Sequence, residues 1–305
     1  MVKYVLTGAT GKLGSRVFKE LLSHVPASDI VVSLSNPSGP SPAILESGVE
    51  IRHGSYTDPA SLVSAFSNAE NILLISYPSI SYNRVALHKS AIDAAKSAGV
   101  RHIYYTSLAY PDDSIAAVMQ SHLATEAYLK ASGVTYTIVR QGIYSEDWPL
   151  YLGVIDMGAL KRKDSEVSLT IPIGDGRVAW ASRDDSGVAT ARILAAASGY
   201  ENRTVTLTGS HAISLHEIAA VVSKVLQRDM TPQILSEEVF LQVSKGTLPD
   251  ETLRGVATTY HALVKGELAT LDPLLATLFG KEPKPVEDTV EDMLTGKTEY
   301  VQPLL

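Results

Sequence analysis

Val5-Leu6-Thr7-Gly8-Ala9-Thr10-Gly11-Lys12-Leu13-Gly14 decides the fold. A short apolar strand runs into three glycines spaced G-x-x-G-x-x-G, and apolar residues at Leu13, Val17 and Leu21 then open an amphipathic helix. Gly8 permits the tight turn, Gly11 lets backbone amides approach a diphosphate, and Gly14 lets helix and strand pack closely. Thr10, Lys12 and Leu13 complete the loop, and the bound phosphates would sit on the helix N-terminus, where unpaired amides and the dipole favour an anion. Lys12 and Arg16 occupy this first stretch with no carboxylate before Glu20, a charge pattern that suits a helix start holding an anion.

Outward from this anchor, short apolar runs alternate with amphipathic ones. Strands are predicted at Tyr4 to Thr7, Ile30 to Ser35, Val49 to His53, Ile72 to Ser76, His102 to Thr106 and Thr135 to Arg140. Gly99 and Gly133 are placed to cap the intervening helices. That alternation is the form of an α/β, doubly wound parallel sheet of Rossmann type. After Arg140 the pattern turns irregular, with a Gly174-Asp175-Gly176 turn, and Thr204 to Thr208 reads as one strand returning to the sheet. Ser214 and Glu217 form a capping box, and Ser182 with Asp184 and Asp185 starts another helix. The expected organisation is a dinucleotide-binding domain over 1–150, rejoined by 178–210. A smaller, mostly helical, discontinuous substrate-side region spans 151–177 and 211–305.

Composition narrows the function. The chain has 305 residues, 45% of them hydrophobic, and a formal charge of −7, which disfavours nucleic acid as a partner. No cysteine is present, so disulfide and thiolate chemistry are excluded, and a cytoplasmic location is the expectation. No apolar run is long enough to span a membrane. The eight histidines include no metal-binding pair at helical spacing, and there is no Gly-x-Ser-x-Gly elbow, so a metal site and a serine hydrolase are not expected.

Cofactor choice should be made 21 residues after Gly14, where Ser35 and Asn36 stand. No carboxylate is there to take both ribose hydroxyls or to repel a phosphate, and Lys12 is expected to reach it, so NADP is favoured over NAD. Tyr77, after the fourth strand, lies at the carboxyl edge of the sheet as a cofactor contact. Aromatics gather beyond the regular alternation at Tyr110, Tyr144, Trp148 and Tyr151, with Trp180 later. Tyr110, Tyr144 and Trp148 are expected to line a pocket for a planar acceptor.

The opening Thr7 to Gly14, the stretches His88 to Lys96 and His122 to Glu126, the run Tyr136 to Tyr144 and the tail Ala262 to Glu267 resemble the NmrA-like group of atypical short-chain dehydrogenases. The similarity is particularly to its NAD(P)H:quinone reductase-like branch. That resemblance implies cofactor contacts at Ser35, Ser55, Ser76 and Thr106; the branch commonly has Arg and Asp at the places of Ser35 and Ser55. It places Ser107 beside the nicotinamide. Alcohol-oxidising relatives use Tyr-x-x-x-Lys, and Val118 and His122 stand at those two places, so the acid–base tyrosine is absent. His122 resembles the residue that the branch has at the lysine place, implying a cofactor-facing or proton-donating role.

The function expected is hydride transfer from NADPH to a quinone or similar conjugated carbonyl, with a small molecule as partner. Such an acceptor leaves as an oxyanion that water can protonate, so the missing tyrosine is tolerable. Two alternatives stay open: a non-catalytic dinucleotide sensor that binds a regulatory protein, and a tailoring reductase of one specialised metabolite.

Overall fold

The computed structural model describes residues 2–298 apart from 37, 80–82, 154, 163–165, 197 and 247. The first part of the chain alternates as its apolar runs predict. In order come β1 (Val2–Thr7), α1 (Gly14–Leu21), β2 (Ile30–Leu34), α2 (Pro42–Ser47), β3 (Glu50–His53), α3 (Pro59–Ala65) and β4 (Ala69–Leu74). Then follow α4 (Arg84–Ser97), β5 (His102–Leu108), α5 (Ala117–Ala131) and β6 (Thr135–Gln141). Gly99 and Gly133 adopt φ of +77° and +80°, the left-handed conformation that stops α4 and α5.

Beyond β6 lie the short helices α6 (Trp148–Tyr151) and α7 (Met157–Lys161), the short strands β7 (Thr170–Pro172) and β8 (Arg177–Val178), then α8 (Arg183–Ala195) and β9 (Arg203–Leu207). The chain ends through β10 (Ile213–Ser214), α9 (Leu215–Leu226), β11 (Gln233–Leu235), α10 (Glu237–Val243), α11 (Asp250–Val264), α12 (Leu274–Phe279) and α13 (Val286–Thr295).

A seven-stranded parallel sheet in the order β3-β2-β1-β4-β5-β6-β9 organises these elements. The central strands are apolar throughout because both faces are covered: Val5, Val31, Ile72 and Ile103 pack under α3, α4 and α5, while Leu6, Val32 and Leu73 pack with residues of α1 and α8. Consecutive strands move away from β1 in opposite directions on its two sides. The crevice between the carboxyl ends of β1 and β4 is therefore the topological switch point, where an open sheet binds its ligand.

Helix α8 lies tightly on α1; a Cβ on Gly187 would stand 2.5 Å from that of Arg16. Its start is capped as expected, with the Ser182 hydroxyl accepting from the Asp185 amide at 3.0 Å. The capping box at α9 is also formed, through Glu217 N to Ser214 Oγ at 3.1 Å and Ser214 N to Glu217 Oε2 at 2.6 Å. The later region is less purely helical than its sequence pattern suggests. β10 pairs with β8 and β11 with β7, in ribbons whose strands are too short to show a period of two. Helix α12 packs on α8 and β9. A separate core of α9, α10, α11 and α13 gathers around Trp148, Trp180, Phe240 and Tyr260.

Candidate active site

The glycine loop is shaped by three local demands. Gly8 has φ +64°, and the Gly11 amide donates back to its carbonyl at 2.9 Å. A Cβ on Gly14 would lie 2.1 Å from the Gly8 oxygen and 2.9 Å from Ile75 Cδ1, so α1 can begin this close to the β1 and β4 termini only with glycine there. No acidic residue occupies the first turn of α1.

The loop opens on a cleft of about 590 Å³. Gly8, Thr10, Gly11, Lys12, Leu13 and Gly14 all line it, and so do Ser35 and Asn36 at the β2 end and Ser76 and Tyr77 beyond β4. Two expected contacts lie elsewhere. Ser55 does not line the cleft; its hydroxyl pairs with Thr57 Oγ1 at 2.9 Å and its amide donates to Ser61 Oγ at 2.9 Å. Thr106 stands behind the wall, where its hydroxyl accepts from the Ser76 amide at 2.9 Å and so orients the residues that do line it.

The cleft also contains residues that sequence reasoning missed. The Ser33 hydroxyl is buried at its edge with no hydrogen-bond partner among the described residues, leaving a donor for a ligand. Tyr56 donates to the Ile75 carbonyl at 2.7 Å and lies 3.0 Å from Thr7 Oγ1, joining the ends of β1 and β4. Arg183, the first residue of α8, enters from the far side of the sequence. Its guanidinium is 2.5 Å from Asp147, 3.7 Å from Glu146 and stacked 4.7 Å over the Tyr144 ring. Burial lowers the pKa of Lys12, and the Arg183 charge lowers it further. The charges acting on Lys12 are thus Arg183, Asp147, Glu146 and Arg16, which puts it on the α8 side of the cleft. Arg16 itself is turned away, pairing with Asp184.

A second cavity of about 220 Å³ adjoins the cleft, and Tyr144 and Asp147 belong to both. Its walls are mostly apolar, with Leu108, Ile143, Leu150 and Val256 among them, and the rings of Tyr110, Tyr151 and Tyr260 face it. Tyr110 and Tyr144 are among the residues that line it. Trp148 does not: it is completely buried in the core and lines neither cavity. As the first residue of α6 it points inward, and the neighbouring turn presents Tyr151 instead. Trp180 acts indirectly, packed edge-on against Tyr151 with ring centres 5.1 Å apart. The α11 residues Val256, Thr259 and Tyr260 went unnoticed because they come about a hundred residues later, on a helix whose amphipathic pattern reads as ordinary core.

The two candidate catalytic residues sit in buried polar networks. His122 and Ser107 line neither cavity. Ser107 donates to Glu126 Oε1 at 2.6 Å, and Glu126 is held by Arg140 at 2.7 Å. His122 belongs to a buried chain of polar groups behind the wall. The Tyr77 amide donates to His88 Nε2 at 2.8 Å, so His88 carries its proton on Nδ1, towards Thr125 Oγ1 at 3.0 Å. Arg84, a donor only, faces His122 Nε2 at 3.2 Å, which puts that ring's proton on Nδ1, towards Tyr105 Oη at 2.9 Å. Burial, then the Arg84 charge, pushes the His88 pKa down to about 3 and His122 well below its ordinary value. His122 is thus neutral, with Nε2 turned to Arg84 and its Nδ1 proton directed to Tyr105.

The residues of the cleft fit a dinucleotide: a loop too tight for any Cβ at Gly14, a helix start with no acid, two cations at one side and an unsatisfied hydroxyl at Ser33. Comparison with known proteins agrees with this architecture. Quinone oxidoreductase 2 of Escherichia coli K12 is 35% identical over 94% of this chain and 97% of its own. The NmrA-like family domain-containing oxidoreductase of Aspergillus flavus is 33% identical over 98% and 97%. Among solved structures, the Escherichia coli NADPH-dependent quinone oxidoreductase complexed with NADPH superposes with a TM-score of 0.83 at 34% identity, covering 95% of this chain and 99% of that one. The Citrobacter triphenylmethane reductase complexed with NADP(H) gives 0.81 at 31% identity, with coverage of 95% and 99%. The NmrA-like family model matches residues 3–293, and the chain belongs to that family.

Proposed function

We propose that this protein is an NADPH-dependent oxidoreductase that reduces a quinone or similar conjugated carbonyl. The observation that carries the reading is the shared wall of Tyr144 and Asp147, which brings a diphosphate-binding cleft into contact with an apolar, aromatic-lined cavity. In this reading Gly11 and the start of α1 seat the diphosphate, with Lys12 and Arg183 alongside, and Ser35 and Asn36 meet the adenosine ribose. The absence of a carboxylate at those two positions favours NADPH over NADH. The similarity to a quinone oxidoreductase that binds NADPH supports the same choice.

The bound dinucleotide supplies a hydride. The chain supplies placement and a dry site: Tyr144 and Asp147 hold the junction, and Leu108, Val118 and Ile143 exclude water from the acceptor side. Val118, at the place of the acid–base tyrosine in alcohol dehydrogenases, faces this cavity with methyl groups only. Removal of a hydroxyl proton is therefore unassisted from that position, whereas a quinone asks for none. In this reading residues 1–150 with 178–210 serve the nucleotide and also wall much of the acceptor cavity through Leu108, Val118 and the segment 142–150, to which the substrate-side region adds Tyr151 and the face of α11.

The test is a turnover assay with NADPH and NADH against a panel of benzoquinones and naphthoquinones, with secondary alcohols and NADP+ run in reverse. Acceptor-dependent oxidation of NADPH faster than NADH, with no alcohol oxidation, is expected. Tight binding of both cofactors with no oxidation by any quinone would instead identify a sensor, and efficient alcohol oxidation would refute the proton chemistry.

A further inference from the structure

A hydride passes between two molecules only where they touch, so the junction of the two cavities is where charge appears during turnover. Among the described residues two side chains line both cavities, Tyr144 and Asp147. Asp147 is an acceptor tied to Arg183. Tyr144 carries a donor and keeps part of its surface exposed at this wall. The groups that act on its phenol are the charges of Arg183, Asp147 and Glu146, with no hydrogen bond from a described residue among them. The other phenols of the acceptor cavity are engaged. Tyr260 donates to the Leu150 carbonyl at 2.8 Å, and Tyr110 is enclosed and hydrogen-bonded to the hydroxyls of Tyr151 and Thr259.

We infer that the Tyr144 hydroxyl is the hydrogen-bond donor to the acceptor oxygen on which negative charge grows. The inference rests on the reductase reading above and adds the residue that steadies the oxyanion.

The backbone around Tyr144 is fixed by distant segments. The Gly142 amide donates to the Leu207 carbonyl at 2.7 Å, the Ala181 amide to the Ile143 carbonyl at 2.9 Å and the Ser145 amide to the Ala181 carbonyl at 2.9 Å. This bridge brings Arg183, two residues beyond Ala181, over the Tyr144 ring at 4.7 Å. Arg183 is itself anchored, its amide donating to Glu146 Oε1 at 3.1 Å and its guanidinium to Asp147. A donor held this way needs little reorganisation when charge appears.

The chemistry follows from the state of the phenol. Burial raises its pKa and the Arg183 charge works against that rise, so the group stays protonated and acts by hydrogen bonding. The guanidinium over the ring favours negative charge on the phenol oxygen, which makes its O–H the stronger donor. As the acceptor takes up a hydride, two electrons and one hydrogen, its oxygen becomes an oxyanion, and a neutral O–H in an apolar site stabilises that charge. One proton from water then completes the hydroquinone. Tyr144 keeps its own.

Tyr144→Phe keeps the ring beneath Arg183 and removes only the hydroxyl. The variant should lose about 100-fold in kcat with 1,4-naphthoquinone. A second readout needs no turnover. With NADP+ bound, 4-nitrophenolate, at a pH where it is ionised, imitates the oxyanion, and nitrobenzene is its counterpart without that oxygen. The ratio of their affinities, measured by titration calorimetry, should fall about 10-fold in Tyr144→Phe. A packing defect would weaken both ligands alike. Wild-type turnover in the Phe variant, or an affinity ratio that does not change, overturns the inference and leaves the reductase reading intact. A Tyr144-dependent ratio in a protein that reduces no quinone sinks the reductase reading and leaves Tyr144 as the oxyanion donor.

Discussion

The cleft at the head of the sheet draws six of its lining residues from one run of seven, Gly8 to Gly14. The cavity beside it gathers its walls from the end of β5, from α5, from the segment 142–151 and from α11. The first site is made by backbone. Its demands are left-handed torsion at Gly8, clearance at Gly14 and free amides at a helix start, and glycine alone meets the first two. The second is made by side chains whose placement depends on packing between distant segments. A relative can therefore keep the first site and change the second, which is how one fold can serve different acceptors.

This difference sets how much of each site was legible. The glycine spacing, the apolar strands and the caps at Gly99, Gly133, Ser182 and Ser214 are local, and local steric rules reach them. Tyr144 and Tyr110 were reachable as aromatics following strand ends. Arg183 was not, because the signal at its position was spoken for by the helix-starting Ser182 and Asp185. Trp148 and Tyr151 differ in the opposite sense: three residues apart, one is core and the other cavity wall, and only the orientation of α6 decides which. The burial of His122 was not legible because an isolated histidine carries no sign of its surroundings, and the structure encloses it in a buried polar chain that keeps the ring neutral.

The comparison can be broken most sharply at Gly14. Gly14→Ala places a Cβ inside the Gly8 carbonyl, so the loop must move, and NADPH affinity should fall about 100-fold or more. Titration calorimetry measures this; full affinity would show that the backbone of the loop does not define the site.

An intermediate effect belongs to the buried polar chain behind the cleft. His88 is held neutral with a pKa near 3, whereas its unfolded value is 6.5. Between those values the unfolded chain binds the proton and the folded one does not, so stability falls as pH falls from about 6.5 toward 3. The contribution of one such group is about 1.4 kcal/mol per pH unit. His88→Gln should flatten the slope of urea-unfolding free energy against pH over that interval, and an unchanged slope would contradict the buried neutral ring.

The smallest effect sharpens the boundary of the cleft. Ser55→Ala removes a hydroxyl bonded to Thr57 outside it, so the dissociation constant of NADPH should change by no more than about twofold. A larger loss would return Ser55 to the cofactor.

The central claim is that one dinucleotide joins the two cavities, its diphosphate at the glycine loop and its reactive ring at the wall of Tyr144 and Asp147. A crystal structure of the protein with NADPH tests this directly. Density for the diphosphate against Gly11 and the start of α1, with the nicotinamide facing the cavity of Tyr110, is the predicted result. A nicotinamide directed away from Tyr144, or a cofactor seated elsewhere on the sheet, would contradict it.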